Sequence, residues 1–457
     1  MRILTATVAA LALAATAVPA ASAARPGPPV TDGVWRTDGY GTLLALGGGA
    51  LRKYETTSLS CIPGDSARQT GPGRYITPDG TVLAVRTTHD RDRARLAADS
   101  SVGHRRLARL PALPADCARP ASADPRTRFD VLWQTFEENY PFFAQKGVDW
   151  HAVRDRYRPQ VHRDTTRAEL FDIFARMLRP LHDAHVAVKD GDRVVAEVRP
   201  GTEPPSPELD AKTKKYIVAR DLKGATGRRD FAAGRITYAD LRGGLGYLRI
   251  SGFGGYAGDG APYTAQRAEL DRALDAVLTP DRTRRLHGLI IDLRVNGGGS
   301  DALGIRIAAR LTDTPYTAYA KRVRNDPADP TRHTRPEPVP VVPAAGSRYT
   351  GPVAVLTGGS TVSAGETFTQ ALLDRPGRTV RIGQPTQGVF SDVMVRTLPD
   401  GMLFVLPNEE YLTRTGRTFD GTGIPPQLTE PVFTEEEFAN DRDSAFDRAV
   451  TVLRPRR

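Results

Sequence analysis

The sequence predicts an α/β fold, preceded by a helical subdomain and a small β-rich domain. Three observations carry that expectation. Two apolar runs, His287-Gly-Leu-Ile-Ile-Asp-Leu293 and Pro352-Val-Ala-Val-Leu356, each end in a glycine turn that leads toward a helix-forming segment. That is the strand–turn–helix unit of parallel sheets, which gathers functional groups at strand carboxyl ends. Residues 125–181 place apolar side chains at helical spacing. Residues 24–118 instead hold short apolar runs between turn signals, the pattern of antiparallel strands. At 457 residues, 40% hydrophobic and 25% charged, the chain is globular in composition and long enough for two or three domains.

Taken in order, Met1-Arg2 is followed by an Ala/Leu/Val run over residues 3–19 and by Ala21-Ser22-Ala23. A basic start, a short apolar run and a small-x-small site read as a secretory signal peptide over 1–23, cut after Ala23. The run is short of the ~20 residues a membrane span needs, and no cysteine follows to take a lipid anchor. The expectation is an exported, secreted protein with no integral membrane segment after cleavage. Cys61 and Cys117 are the two cysteines. An even pair in an exported chain predicts a disulfide, here a staple of the β-rich domain over 24–118.

The helical subdomain is expected over 119–190. Asp124-Pro125 gives a cap and a first-turn proline, and Phe129, Leu132, Trp133, Phe136 and Tyr140 make one apolar face. A second helix starts near Asp149-Trp150. A third opens on the capping box Thr166-Arg-Ala-Glu169 and stops at Leu181-His-Asp-Ala-His185, before a strand at Val186-Ala-Val188. Residues 191–457 form the α/β core. Polar residues over 190–242 give way to a strand at Gly246-Tyr-Leu-Arg-Ile250 and a helix over 265–277. The two glycine-turn units come next, then strands near 380–382 and 403–406. A last helix is capped at Thr434-Glu-Glu-Glu437 and runs through Leu453.

The charge balance, 63 Lys+Arg against 53 Asp+Glu and net +10, is almost all arginine, with eight lysines. With alanine and proline plentiful, that reflects a GC-rich bacterial genome. No basic stripe interleaved with aromatics accompanies it, so nucleic acid is not an expected partner. Several chemistries are excluded by pattern. Gly297-Gly-Gly299 continues Ser300-Asp-Ala302, which breaks the dinucleotide fingerprint, and no phosphate-binding Gly-Lys-Ser/Thr occurs. No lysine stands three residues after a serine, which removes Ser-x-x-Lys acyl transfer. His182 and His185 are spaced i, i+3 around Asp183 but lack a third ligand cluster, so no metal is expected. No cofactor motif is present either.

Ser363 follows a buried strand and the Gly358-Gly359 turn and opens a helix. There its hydroxyl would lie beside backbone N–H groups able to stabilise an oxyanion. A simple N-cap is the plainer reading, with Ser360 and Thr361 competing for it. The segment is not the Gly-x-Ser-x-Gly elbow of α/β-hydrolases.

Leu181-His-Asp-Ala-His185, Gly246-Tyr-Leu-Arg-Ile250, Ile291-Asp-Leu-Arg-Val-Asn-Gly-Gly-Gly299, Thr361-Val-Ser-Ala-Gly-Glu366, Gly383-Gln-Pro-Thr-Gln-Gly388 and Phe419-Asp-Gly-Thr-Gly-Ile-Pro-Pro426 stand in this order. Over about 125–453 the set resembles the S41 serine peptidases, the tail-specific, C-terminal-processing and tricorn-core proteases with the nisin-resistance protein. The resemblance implies a ClpP/crotonase-like core of ββα units. Members with a lysine base carry it just after Gly-x-x-Thr-x-Gly; here Val389 and Phe390 follow Gly388. The histidine-base subgroup is the better match, with His185 as general base and Ser363 as nucleophile. Gly298 and Ala364 would give the backbone oxyanion hole. Asp420 takes the position of the orienting glutamate and is one methylene shorter, while Ala184 replaces the intermediary serine. Asp420 or Asp183 then orients His185, directly or through water. Glu366 is read as structural. The gap over 189–243 is too short for a PDZ domain. What the resemblance implies is an exported serine peptidase acting on peptides or proteins through an acyl-enzyme. The competing reading is a degenerate S41-fold protein that binds a small hydrophobic ligand or peptide.

Overall fold

The computed structural model describes residues 31–119 and 122–454. The segment read as a signal peptide, 1–23, lies outside the described residues.

Eight strands over residues 33–110 form a closed antiparallel barrel in which each strand pairs with the next, and Gly33–Thr37 pairs with Arg105–Leu110. Alternation fills the inside with Trp35, Leu44, Leu51, Tyr75, Val85 and Leu107. Closure leaves no free strand edge. Cys61, at the start of the strand Cys61–Gly71, is disulfide-bonded to Cys117 beyond the barrel.

The helical layer follows its sequence signals closely. Pro125–Asn139 is capped by Asp124, Trp150–Tyr157 by Asp149, and Arg167–Leu178 by a complete Thr166/Glu169 capping box. Its core is not self-contained. Phe136, Leu170, Phe174 and Met177 pack with Met402, Phe404 and Leu406 from much later in the chain. The reason is a four-stranded sheet in which Ala187–Asp190 pairs with Leu403–Pro407.

The core is a seven-stranded mixed sheet in the order Thr226–Phe231, Ile236–Leu241, Leu245–Ile250, Gly288–Asp292, Val353–Thr357, Thr379–Gly383, Leu428–Thr429. The first two pairings are antiparallel and the remaining four are parallel. Its central strands read as continuous apolar runs because helices cover both faces. Ile290 and Ile291 are fully buried, and each such side chain contributes roughly 1.5–3 kcal/mol. A smaller sheet, Glu337–Val341, Tyr316–Val323 and Glu409–Leu412, lies against it.

Two departures from the sequence reading stand out. The polar stretch 190–242 holds a helix, Pro207–Ala219, and two strands of the main sheet. The last helix is two, Glu435–Ala439 and Ser444–Leu453. Asp441, at φ 49°, breaks the run, and Asp443 restarts it by accepting the Phe446 N–H.

Candidate active site

Gly288–Asp292 and Val353–Thr357 pair in parallel, with Asp292 beside Leu356, so their carboxyl ends are neighbours. The turns leaving them stay paired, Val295–Asn296 running parallel to Ser360–Thr361. Arg294 fixes the first turn from below. It is fully buried, with Nη2 2.7 Å from Asp292 Oδ2 and Nη1 2.6 Å from Asp443 Oδ1, and it stacks on Phe433 at 4.0 Å. A buried guanidinium is tolerable only when its donors are this fully matched. Asn296 ties the turn to the next strand, its Nδ2 donating to the Ile250 carbonyl at 2.7 Å.

Ser363 sits at the end of the second turn and precedes the helix Ala364–Ala371. Its backbone is at φ 54°, ψ −123°, a region that costs a non-glycine residue about 1–3 kcal/mol. Neighbours enforce it. The Ser363 N–H donates to the Val389 carbonyl at 3.0 Å, and its carbonyl accepts the N–H groups of Glu366 and Thr367. Gly298 stands against it: a Cβ there would lie 2.6 Å from Ser363 Cβ. Among the described residues neither Ser363 Oγ nor the Ala364 N–H has a hydrogen-bond partner.

The stretch Gly388 to Ser391 organises the rest. Glu366 accepts the Gly388 N–H at 2.6 Å and the Val389 N–H at 2.8 Å, and burial pushes its carboxyl up to about 8. Asp420 accepts the Phe390 N–H at 3.3 Å. The Ser391 carbonyl faces the His185 ring. Ser363 and Asp420 are therefore bonded to consecutive residues, Val389 and Phe390, and His185 faces the next, Ser391. Ser363 and His185 share no hydrogen bond among the described residues, and His185 Nδ1 is buried without a partner.

Burial lowers the His185 pKa, against the opposing charges of Asp183 and Asp392 and the Ser391 carbonyl. That favours the neutral imidazole a general base requires. Burial raises Asp420 well above the carboxylate range, with Asp183 and Glu366 adding to it. Its oxygens are engaged by the Phe390 N–H and the Thr418 hydroxyl. Asp183 accepts the backbone N–H of His185 at 2.9 Å and the Tyr140 hydroxyl at 2.8 Å. Neither acid hydrogen-bonds the His185 ring among the described residues. The Gly298 N–H, expected at an oxyanion, donates to Asn296 Oδ1 at 2.9 Å. The following amide, that of Gly299, meets no acceptor among the described residues.

Asp392 is the residue sequence reasoning missed. It adjoins Ser391, accepts the Ser101 hydroxyl at 2.7 Å, and acts electrostatically on His185. Its partners lie far away in the chain, and no local pattern marks it.

The model of "Peptidase family S41" matches residues 244–429, and that of "Tricorn protease C1 domain" matches residues 121–179. His185 falls between the two. Among solved structures, one from Parabacteroides merdae ATCC 43184 assigned to the peptidases is 24% identical, with 73% of this chain and 97% of that chain covered and a TM-score of 0.60. Mature CPAF complexed with lactacystin is 13% identical, with 72% and 96% covered and a TM-score of 0.50. At these identities the likeness is one of fold. A comparison with curated proteins finds no match.

Proposed function

We propose, from the match of residues 244–429 to the S41 peptidase family, that the chain is an exported serine peptidase with Ser363 as nucleophile and His185 as general base. The observation that carries the reading is the backbone of Ser363, held at φ 54° at a helix N-terminus against a glycine turn. A neutral-favoured histidine faces the same short stretch, 388–391, to which the Ser363 N–H is bonded. His185 takes the Ser363 Oγ proton as Oγ attacks the peptide carbonyl carbon. The carbonyl oxygen becomes an oxyanion facing the free Ala364 N–H and the glycine turn at Gly298. For Gly298 to donate, its N–H leaves Asn296 Oδ1; the Gly299 N–H is already unengaged. His185 then returns the proton to the leaving amine. Water, deprotonated by His185, releases the acyl group and regenerates Ser363. Asp420 supports the histidine through the Phe390 segment. The substrate is a peptide or protein, and 119–190 and 191–457 act as one catalytic unit behind the β-rich 24–118.

Ser363→Ala and His185→Ala should each lower peptide hydrolysis by roughly 10⁴-fold or more while leaving the unfolding temperature near that of the parent. A fluorophosphonate probe should label Ser363 in the parent and not in Ser363→Ala. Parent-like rates in His185→Ala would overturn the base. A parent chain that neither hydrolyses nor labels would favour the ligand-binding reading.

A further inference from the structure

The last two barrel strands, Arg93–Ala98 and Arg105–Leu110, are joined by a loop over residues 99–104. That loop reaches the catalytic core on two sides. The Ser100 carbonyl accepts Ser300 Oγ at 2.5 Å, and Ser300 directly follows the glycine turn that stands against Ser363. The Ser101 hydroxyl donates to Asp392 Oδ2 at 2.7 Å, and Asp392 directly follows the carbonyl that faces His185. Between them Val102 packs on the core cluster holding Phe253, Phe368 and Phe390. The loop is braced on the smaller sheet as well, with the His104 N–H on Glu337 Oε1 at 3.0 Å. Nearby, the Tyr40 hydroxyl donates to Glu409 Oε1 at 2.7 Å.

We propose that this barrel loop completes the active site: Ser101 holds Asp392 as the acid that positions His185, while Ser100 fixes Ser300 and the glycine turn. The inference rests on the peptidase reading above. Asp392 takes the Ser101 hydroxyl on Oδ2 and keeps Oδ1 without a hydrogen bond among the described residues, whereas the other two acids have both oxygens occupied. Asp420 and Asp183 are engaged by backbone and hydroxyl donors. The charges facing His185 are Asp183 and Asp392. Asp392 in turn faces Lys321, Arg105 and Asp301. Burial opposes the ionised form of Asp392, yet Lys321, the Ser101 hydroxyl and Arg105 together hold its carboxyl below the ordinary value. A carboxylate kept ionised beside the histidine stabilises the imidazolium that forms as Ser363 attacks. Asp392 is thus a positioning residue, and the barrel contributes to catalysis through the hydroxyl that orders it.

The test compares the parent, Asp392→Asn and Ser101→Ala as full chains, with fluorescein-labelled casein as substrate and a fluorophosphonate as probe. Asp392→Asn should lower kcat roughly 10- to 100-fold with KM changed by less than about twofold. The acid limb of kcat/KM should move to lower pH, because removing the negative charge makes the imidazolium easier to deprotonate. Ser101→Ala should act in the same direction with a smaller amplitude. A merely structural role would lower the unfolding temperature and leave the acid limb in place. Parent-like kcat and an unmoved limb in Asp392→Asn overturn the proposal. Should that variant not fold, an unchanged Ser101→Ala overturns it alone. If the parent fails to react with the probe, the peptidase reading falls instead. If the parent reacts and both variants match it, only the role of the loop falls.

Discussion

The turn at residues 293–299 and the stretch at 388–391 flank the same serine and are stabilised in opposite ways. Below the first, Arg294 is matched donor for donor by the side chains of Asp292 and Asp443. Beneath the second, Glu366 and Asp420 are carboxyls that burial drives toward the neutral form while backbone N–H groups call for the charged one. The first is a fixed support, in which the Arg294 guanidinium holds the Asp292 carboxyl below its ordinary value against burial. The second can change its protonation where an enzyme works. What holds a scaffold still and what lets chemistry respond have been put on opposite sides of Ser363.

The difference should show most strongly when the fixed side is broken. Arg294→Met would leave Asp292 and Asp443 buried together beside Asp221, whose carboxyl is already pushed up to about 9. The expected loss at neutral pH is roughly 3–5 kcal/mol by chemical unfolding. It should shrink as pH falls and the stranded carboxyls take protons. A loss unchanged by pH would mean that packing, not charge, dominates at Arg294.

The responsive side predicts a slope. Glu366 titrates near its ordinary 4.5 when unfolded and at about 8 when folded. The folded state therefore binds more protons across that window, and stability falls as pH rises from about 4.5 to 8, by a few kcal/mol at most. Asp301, pushed up to about 7 by burial, with the charge of Asp392 adding, contributes in the same direction. Glu366→Gln should flatten the slope without abolishing it, as read from unfolding at pH 5, 6.5 and 8. An unaltered slope would remove Glu366 from this account. The smallest effect is expected at the edge of the site. Tyr140→Phe takes one donor from Asp183 and should cost about 1 kcal/mol, with kcat close to that of the parent. A large fall in kcat would show that Asp183 does more than hold the His185 backbone.

Legibility in the sequence followed the range of the forces involved. Asp124, Asp149 and Thr166 cap helices through bonds to residues two or three positions on, and each was readable. So were the central strands, whose apolar runs need only burial. Residues 226–241 were not, because those strands take their place by pairing with Leu245–Ile250 rather than by a strong pattern of their own. The break at Asp441 was hidden by a continuous helical composition. At the site, the strand–glycine–helix context pointed to Ser363, and the ordered motifs pointed to His185 and Asp420. That Asp420 turns toward Phe390, that Asn296 engages the Gly298 N–H, and that a barrel loop meets Asp392 depend on contacts between distant segments.

The conformation of Ser363 has one more consequence. Glycine occupies φ 54° without penalty, whereas serine there carries about 1–3 kcal/mol of strain. Thermodynamics alone would favour a glycine at this position, and the hydroxyl is maintained against that preference. Replacing Ser363 by glycine would release that strain and remove the hydroxyl in one step.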